Sequence, residues 1–287
     1  MKLASFAFGD GRRSFGAVLD GDRIADLSTP EVPTLREALR RWGLAGLAER
    51  AAAAPARVVP TASIAWLPPV TDPDKIVCVG LNYRLHAEEA GVAIPKHPSL
   101  FVRFPGSQVG HLAPCVAPEA SAQYDYEAEL AVIVGREARD VPAEHAMQVV
   151  AGYACFAENS IRDFQKHATQ ATAGKNFEAS GAFGPWLATA DEVGDPARLE
   201  VIGRLNGVEM QRDSVAHMIF PIPELIAYVS RFARLLPGDV IVTGTRAGVG
   251  FTRRPPVFLK AGDVFEVDIP GVGLLRNPVA NAGGGSR

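Results

Sequence analysis

The sequence predicts a β-rich α+β fold in which a small N-terminal α/β domain precedes a larger, strand-rich domain. Most apolar segments are short and end in turns that contain glycine, proline or aspartate. Helical spacing of apolar residues is confined to residues 34–53, 86–91 and 223–235. These helices are too few to cover both faces of a parallel sheet, so a mixed, strand-dominated architecture is expected.

The N-terminal domain is predicted to be a small antiparallel meander followed by a helical segment. Short apolar runs alternate with turns such as Gly9-Asp10-Gly11 over residues 3–27, and arginines separate the apolar residues of 34–53. An alanine- and proline-rich stretch over residues 52–73 indicates a linker. We therefore expect a small domain with its linker at 1–70, the large domain at 71–280 and a flexible tail at 281–287.

The large domain is predicted to consist mainly of strands and tight turns. Residues 75–80 and 125–135 have the patterns of strands, and Asn206-Gly207 is typical of a hairpin turn. A short helix is closed by Gly91, and a longer amphipathic helix begins at Pro223. The second half of the chain contains only this one clear helix, so the domain is expected to be β-rich.

Composition and charge exclude several classes of protein. With 47% hydrophobic residues, 21% charged residues and a formal net charge of −3, the chain resembles an ordinary globular protein. It has no basic run that would indicate a nucleic-acid partner, and no apolar stretch of the length of a signal peptide or membrane span. Three separated cysteines without metal-ligand spacing favour free thiols in a reducing compartment. We expect a cytoplasmic protein that binds neither nucleic acid nor membranes.

Glu127 and Glu129 form the most informative pair of charged residues. Alternation along the strand at 125–135 places both side chains on one face, about 7 Å apart at a rise of about 3.3 Å per residue. A metal ion fits between them, and two buried carboxylates would raise each other's pKa unless a cation compensates their charge. Taken alone, the pattern favours a solvated strand face.

Five ordered segments resemble the fumarylacetoacetate hydrolase family and change that balance. They lie within residues 75–280, at 80–91, 124–136, 152–165, 174–186 and 242–250. Five matches in order are far more specific than any single motif. The resemblance implies a mixed β-sandwich and β-roll C-terminal domain, and it implies a homodimer.

The resemblance also implies a metal centre. It assigns Glu127 and Glu129 as ligands and places the third ligand at Glu158, where the family usually has aspartate. Glutamate keeps the charge and the oxygen donors but lengthens the arm by one methylene group. Ala157 replaces a usual asparagine. Carboxylate oxygens favour Mg²⁺ or Mn²⁺ over zinc, which prefers nitrogen and sulfur ligands.

His86, Glu89 and Lys175 are the candidate catalytic residues. His86 and Glu89 are three residues apart on a short helix and share a face, so the carboxylate can orient the imidazole. In the family that the chain resembles, the matching pair lies on a lid and activates water. Lys175 matches an active-site lysine that neutralises charge on the substrate carbonyl, although the residue alone could equally be a surface lysine.

Four further residues are expected to bind the substrate, because they match family positions that contact the substrate or brace the metal. They are Arg103, Arg162, Gln165 and Thr245. Two nearby positions depart from the family. Arg246 replaces a usual proline, and Leu85 stands where aspartate is common.

The resemblance implies a metal-dependent hydrolase that cleaves a carbon–carbon bond in a 2,4-dioxo acid of the acylpyruvate or fumarylpyruvate type. His86, aided by Glu89, would activate water for attack on the 4-oxo carbon, and the metal would stabilise the departing pyruvate enolate. Decarboxylases, hydratases and isomerases of 2-oxo diacids in aromatic catabolism, such as 2-hydroxyhepta-2,4-diene-1,7-dioate isomerase, remain alternatives. An inactive metal-binding scaffold is the alternative of another class.

Overall fold

The computed structural model describes residues 1–20, 22–53 and 57–283. These residues form nineteen strands and eight α-helices. The strands are β1 (Lys2–Phe8), β2 (Arg13–Val18), β3 (Arg23–Asp26), β4 (Val58–Pro60), β5 (Ile64–Leu67), β6 (Ile76–Gly80), β7 (Ser99–Arg103), β8 (Gln108–Val109), β9 (Cys115–Ala117), β10 (Tyr124–Asp125), β11 (Ala128–Val134), β12 (Val150–Ala157), β13 (Ser160–Ile161), β14 (Gly181–Thr189), β15 (Glu200–Leu205), β16 (Val208–Ser214), β17 (Val240–Val242), β18 (Val264–Ile269) and β19 (Gly273–Asn281). The helices are α1 (Leu35–Arg41), α2 (Gly43–Ala52), α3 (Arg84–Glu89), α4 (Ala143–Ala146), α5 (Arg162–Gln165), α6 (Thr172–Lys175), α7 (Ala190–Val193) and α8 (Ile222–Phe232).

One large mixed sheet extends across the described part of the chain. Its main path has the strand order β4-β3-β2-β1-β14-β12-β11-β17-β6-β7, and β5 and β8 pair with β1 and β14 respectively. The predicted N-terminal meander is confirmed, because β1, β2 and β3 pair antiparallel in chain order. The predicted helical segment forms two helices, since Gly43 adopts a positive φ of 61° and breaks the first one.

The predicted linker differs from the structure. Residues 58–60 and 64–67 form β4 and β5, which pair with β3 and β1, while residues 54–56 lie outside the described part of the chain. Composition indicated a linker because alanine and proline have weak strand preferences, but pairing with the meander decides the conformation. The division at residue 70 stays a prediction, and so does the tail, of which residues 284–287 also lie outside the described part.

A second sheet packs on the first and completes the core. It has the order β16-β15-β18-β19-β9, and the predicted Asn206-Gly207 hairpin joins β15 to β16. Apolar residues of the two sheets, including Leu130, Val267 and Leu275, belong to one buried cluster that α8 also enters. The β-rich α+β fold class is therefore confirmed, and the buried strands β11 and β12 lie at its centre.

Two smaller expectations concern thiols and membranes. All three cysteines are buried and free of disulfides, as predicted. Among the described residues, no helix has both the length and the apolar character needed to cross a membrane.

Candidate active site

Strands β11 and β12 bring three carboxylates together. Glu127 immediately precedes β11, Glu129 is its second residue, and alternation places both side chains on one face. Glu158 immediately follows β12, and its backbone N–H donates to the Glu127 carbonyl oxygen at 2.9 Å. One oxygen from each carboxylate lies within 4.8 Å of the others, and all three residues are buried. The pairing of two adjacent strands therefore creates a site that could hold a metal ion.

The three carboxylates have different electrostatic surroundings. Burial alone would raise the pKa of Glu127, but the cations of Lys175 and Arg162 outweigh it and lower that pKa to about 2. Lys175 Nζ lies 3.1 Å from each Glu127 carboxylate oxygen and also contacts Glu158. Burial nevertheless raises the pKa of Glu158 above its ordinary value. Burial raises the pKa of Glu129 well above its ordinary value, and the charges of Glu158 and Glu127 raise it further.

Glu129 provides a test of whether a divalent cation fits this site. Its carboxylate accepts a hydrogen bond from the Gly244 backbone N–H at 2.6 Å, but no lysine, arginine or histidine of the described residues forms an ion pair with it. A buried carboxylate beside two like charges requires a compensating cation or a proton. The oxygen-only donors suit Mg²⁺ or Mn²⁺, so the residues present fit such an ion.

Arg103 lies behind this site. Its guanidinium is buried, and Nη1 pairs with Glu158 Oε1 at 2.8 Å. The same group donates to the Asn159 carbonyl oxygen and to the hydroxyls of Ser107 and Ser180. Arg103 is not among the residues that line the adjoining cavity. The structure therefore places it as a support for Glu158, away from the position expected of a substrate ligand.

A cavity of about 570 Å³ opens beside the carboxylates. Eight of the ten residues expected in the site line this cavity, namely His86, Glu127, Glu129, Glu158, Arg162, Gln165, Lys175 and Thr245. Apolar and aromatic walls complete it, formed chiefly by Val79, Leu81, Val92, Phe101 and Phe251. Polar groups thus meet at one side of an otherwise apolar chamber, which is typical of a small-molecule site.

His86 faces this cavity from the short helix α3. Its Nδ1 lies 3.5 Å from Glu89 Oε2, which is within the range of an ion pair and longer than a good hydrogen bond. Glu89 is held by the Gly248 backbone N–H and by the Thr252 hydroxyl at 2.8 Å. Burial opposes ionisation of Glu89, but His86 and these donors outweigh it and lower its pKa. The carboxylate is therefore fixed in a position from which it can orient the imidazole.

Gln165 and Thr245 hold other parts of the wall. Gln165 Oε1 accepts from Arg162 Nη1 at 3.0 Å, while the Thr245 hydroxyl donates to the Ala128 carbonyl oxygen. Ala128 lies between the two strand glutamates, so Thr245 also braces the metal-site strand.

Both the sequence and the fold are similar to those of known proteins. A profile of the family described as fumarylacetoacetate (FAA) hydrolase, C-terminal, matches residues 75–280. The chain belongs to this family. It is 43% identical over 235 residues to the human protein named oxaloacetate tautomerase FAHD2A, mitochondrial, a match that covers 81% of this chain and 75% of that one.

Solved structures of family members superpose over almost the whole chain. A fumarylacetoacetate hydrolase from psychrophilic Exiguobacterium antarcticum is 36% identical with a TM-score of 0.84, covering 98% of this chain and 99% of that one. A maleylpyruvate hydrolase from Sphingobium sp. SYK-6, in complex with manganese(II) and pyruvate, is 30% identical with a TM-score of 0.80 and the same coverage. The resemblance inferred from the sequence is thus confirmed, and the family includes hydrolases and tautomerases.

Several residues of the site were not anticipated from the sequence. Asp125 accepts from Arg162 Nε at 2.8 Å and from the backbone N–H groups of Gly250 and Phe251. The Ser160 hydroxyl donates to Glu127 Oε1 at 2.5 Å. Asp125 shares the strand alternation of the two glutamates, so the sequence contained a signal for it. Ser160 gave none.

The two departures from the family pattern have different structural outcomes. Leu85 is 56% exposed on α3 and points away from the core. Arg246 is fully buried, and it donates to the Ala128 carbonyl oxygen at 2.7 Å and to the Tyr83 hydroxyl at 3.1 Å. Because Tyr83 precedes α3, Arg246 joins the helix that carries His86 to the strand that carries Glu127 and Glu129.

Proposed function

We propose that this chain enolises a small 2-oxo acid with the help of a divalent metal ion held by Glu127, Glu129 and Glu158. The observation that carries the proposal is the convergence of three buried carboxylates at a cavity that His86 also faces. When bound, Mg²⁺ or Mn²⁺ would act as a Lewis acid on the 2-oxo group and acidify the neighbouring carbon.

Side chains of this protein would move the proton and balance the charge. Because Nδ1 of His86 faces Glu89, Nε2 is left for the substrate, where it can remove a proton from C3 and return it. The Lys175 ammonium would stabilise negative charge on the substrate oxygen. Arg162, Gln165 and Thr245 would bind the polar end of the substrate, and the apolar walls would exclude bulk water.

The reaction that we favour is tautomerisation of oxaloacetate. It requires only that a proton move between carbon and oxygen, which one acid–base residue and an electrophile can accomplish. The name and 43% identity of the human tautomerase support this assignment. The diacid is small enough for the cavity of about 570 Å³.

Hydrolytic cleavage of a 2,4-dioxo acid is the second candidate. The cavity has room for a substrate longer than a four-carbon diacid, and the maleylpyruvate hydrolase at 30% identity also supports this reaction. In this case His86, aided by Glu89, would deprotonate a water molecule that attacks the 4-oxo carbon. Decarboxylation, isomerisation and hydration share the enolisation step, so substrate assays must separate them.

Activity assays with matched variants test the proposal. We would measure enol-to-keto conversion of oxaloacetate by absorbance, hydrogen–deuterium exchange at C3 of pyruvate by NMR, and pyruvate release from acylpyruvates, with Mg²⁺ or Mn²⁺ present. Glu127→Gln should abolish every metal-dependent activity, and Glu89→Gln should lower it strongly. Glu88→Gln, on the same helix, is the control that should retain it. Full activity of Glu127→Gln, or of exhaustively chelated enzyme, would refute the metal-dependent mechanism, and absence of exchange in the wild type would favour an inactive scaffold.

The choice between Mg²⁺ and Mn²⁺, the homodimer and the cytoplasmic location stay predictions. Metal titration of the activity tests the first, and sedimentation analysis of the purified chain tests the second.

A further inference from the structure

Two cationic side chains at the cavity, Arg162 and Lys166, have a donor or a charge that no described residue pairs with. Arg162 donates through Nε to Asp125 and through Nη1 to Gln165, and Nη1 also forms an ion pair with Glu127. Its buried Nη2 has no hydrogen-bond partner among the described residues. Lys166 is exposed at the cavity and forms no ion pair with any described residue. Arg162 is only 4% exposed, and a buried donor without a hydrogen bond costs free energy. The Nη2 group therefore favours the binding of an acceptor.

The two cations lie against the same aromatic ring. The Arg162 guanidinium carbon is 4.4 Å from the centre of the Phe251 ring, and Lys166 Nζ is 5.6 Å from it. Helix α5 explains this placement, because residues four apart lie on one side of a helix and Lys166 caps its end. All three residues line the cavity, so an acceptor bound there would meet both cations.

The charge balance of the cavity indicates what that acceptor is. Its charged lining consists of three carboxylates and three basic side chains, namely Glu127, Glu129, Glu158, Arg162, Lys166 and Lys175. A divalent ion would leave an excess of two positive charges. A dianion neutralises this excess, whereas a monocarboxylate leaves one positive charge uncompensated.

We propose that Arg162 Nη2 and Lys166 bind the second carboxylate of a dicarboxylic 2-oxo acid, and that Lys166 sets the preference for diacids over monoacids. The inference rests on the proposed enolisation and identifies its substrate class. Arg162 already contacts the metal-site residue Glu127, so its open Nη2 lies close to the reacting end of a short substrate. Lys166 extends the anion site toward the cavity mouth.

Two four-carbon acids that differ in the second carboxylate provide the test. We would compare oxaloacetate with 2-oxobutyrate, measuring metal-dependent hydrogen–deuterium exchange at C3 above the spontaneous rate. Lys166→Gln should lower the ratio of kcat/KM for the diacid to that for the monoacid about fivefold, mainly through KM, since an exposed ion pair contributes modestly. Lys166→Glu should lower the ratio further, and Lys166→Arg should restore it.

Lys96→Gln is the matched control, since Lys96 is another exposed lysine that lines a different cavity. It should leave the ratio unchanged. An unchanged ratio in both Lys166→Gln and Lys166→Glu would overturn the inference. If the wild type shows no exchange with either acid, the proposed function fails, and calorimetric binding of the two acids with Mn²⁺ then decides the subsite. Equal effects of Lys166→Gln on binding of both acids would also overturn it.

Discussion

Replacing Arg103 by methionine should destabilise the protein without impairing substrate affinity. The side chain forms a fully buried ion pair with Glu158 at 2.8 Å and donates to Ser107, Ser180 and the Asn159 carbonyl oxygen. Removing one partner of a buried ion pair costs about 3–5 kcal/mol. Because Lys175 still contacts the Glu158 carboxylate, we expect a loss in the lower part of that range. The three hydrogen bonds, worth about 1 kcal/mol each, overlap with that figure and do not simply add to it.

Thermal unfolding measures the loss, and we expect the Tm of Arg103→Met to fall by about 10 °C. Arg103→Lys should recover part of it, since a lysine keeps the charge but not the forked geometry. The KM of each variant that remains folded should stay within about twofold of the wild type. A Tm within about 2 °C of the wild type, together with a large increase in KM, would refute this placement and restore Arg103 as a substrate ligand.

Three further predictions concern other parts of the molecule. Burial lowers the pKa of His111 from 6.5 to about 4, so the folded state excludes a proton that the unfolded chain binds. The free energy of unfolding should therefore fall by about 1–2 kcal/mol as the pH decreases from about 6.5 to about 4, a figure reduced for the partial exposure of His111. Urea unfolding of His111→Gln should lack this part of the pH dependence. Ser230→Ala removes the acceptor of the Val141 backbone N–H and should cost about 1–3 kcal/mol in urea unfolding, whereas an unchanged midpoint would contradict that role. Gly250→Ala would place a Cβ against the Val257 carbonyl oxygen, so the variant should lose thermal stability and activity together, and wild-type values for both would show that the loop can adjust.

Local patterns were sufficient to predict many elements of the fold and the orientation of two ligands. Alternation along one strand places Glu127 and Glu129 on the same face, and the structure has them there. The Asn206-Gly207 turn and the helix near Pro223 also depend on neighbouring residues alone. Glu158 is different, because its position depends on the pairing of Ala128 with Ala157 between two strands. Only the family resemblance pointed to it.

Features that depend on contacts between distant parts of the chain are not contained in local sequence patterns. Arg103 is close in sequence to cavity residues such as Phe101, but it does not line the cavity. Its buried guanidinium pairs with Glu158 on the side of the carboxylate that faces the protein interior. A motif match does not tell whether a residue contacts the cavity-facing or the interior-facing side of the Glu158 carboxylate. The linker was predicted from composition, although residues 64–67 pair with β1. Lys166 was overlooked because an isolated lysine carries no pattern, and only its place beside Phe251 distinguishes it.

The junction between β1 and β14 limits how the chain can be divided. Leu3 and Phe15 share a buried cluster with Ile133 and Phe156 of the central strands. A fragment that begins at residue 71 would therefore expose apolar surface and leave part of β14 as an open sheet edge, a template for aggregation. Engineering that aims to exchange substrate specificity within this family should transplant loops onto the whole chain and not graft the carboxyl-terminal region alone. The amino-terminal strands cover this edge and thereby protect the sheet that carries the candidate site from edge-to-edge association.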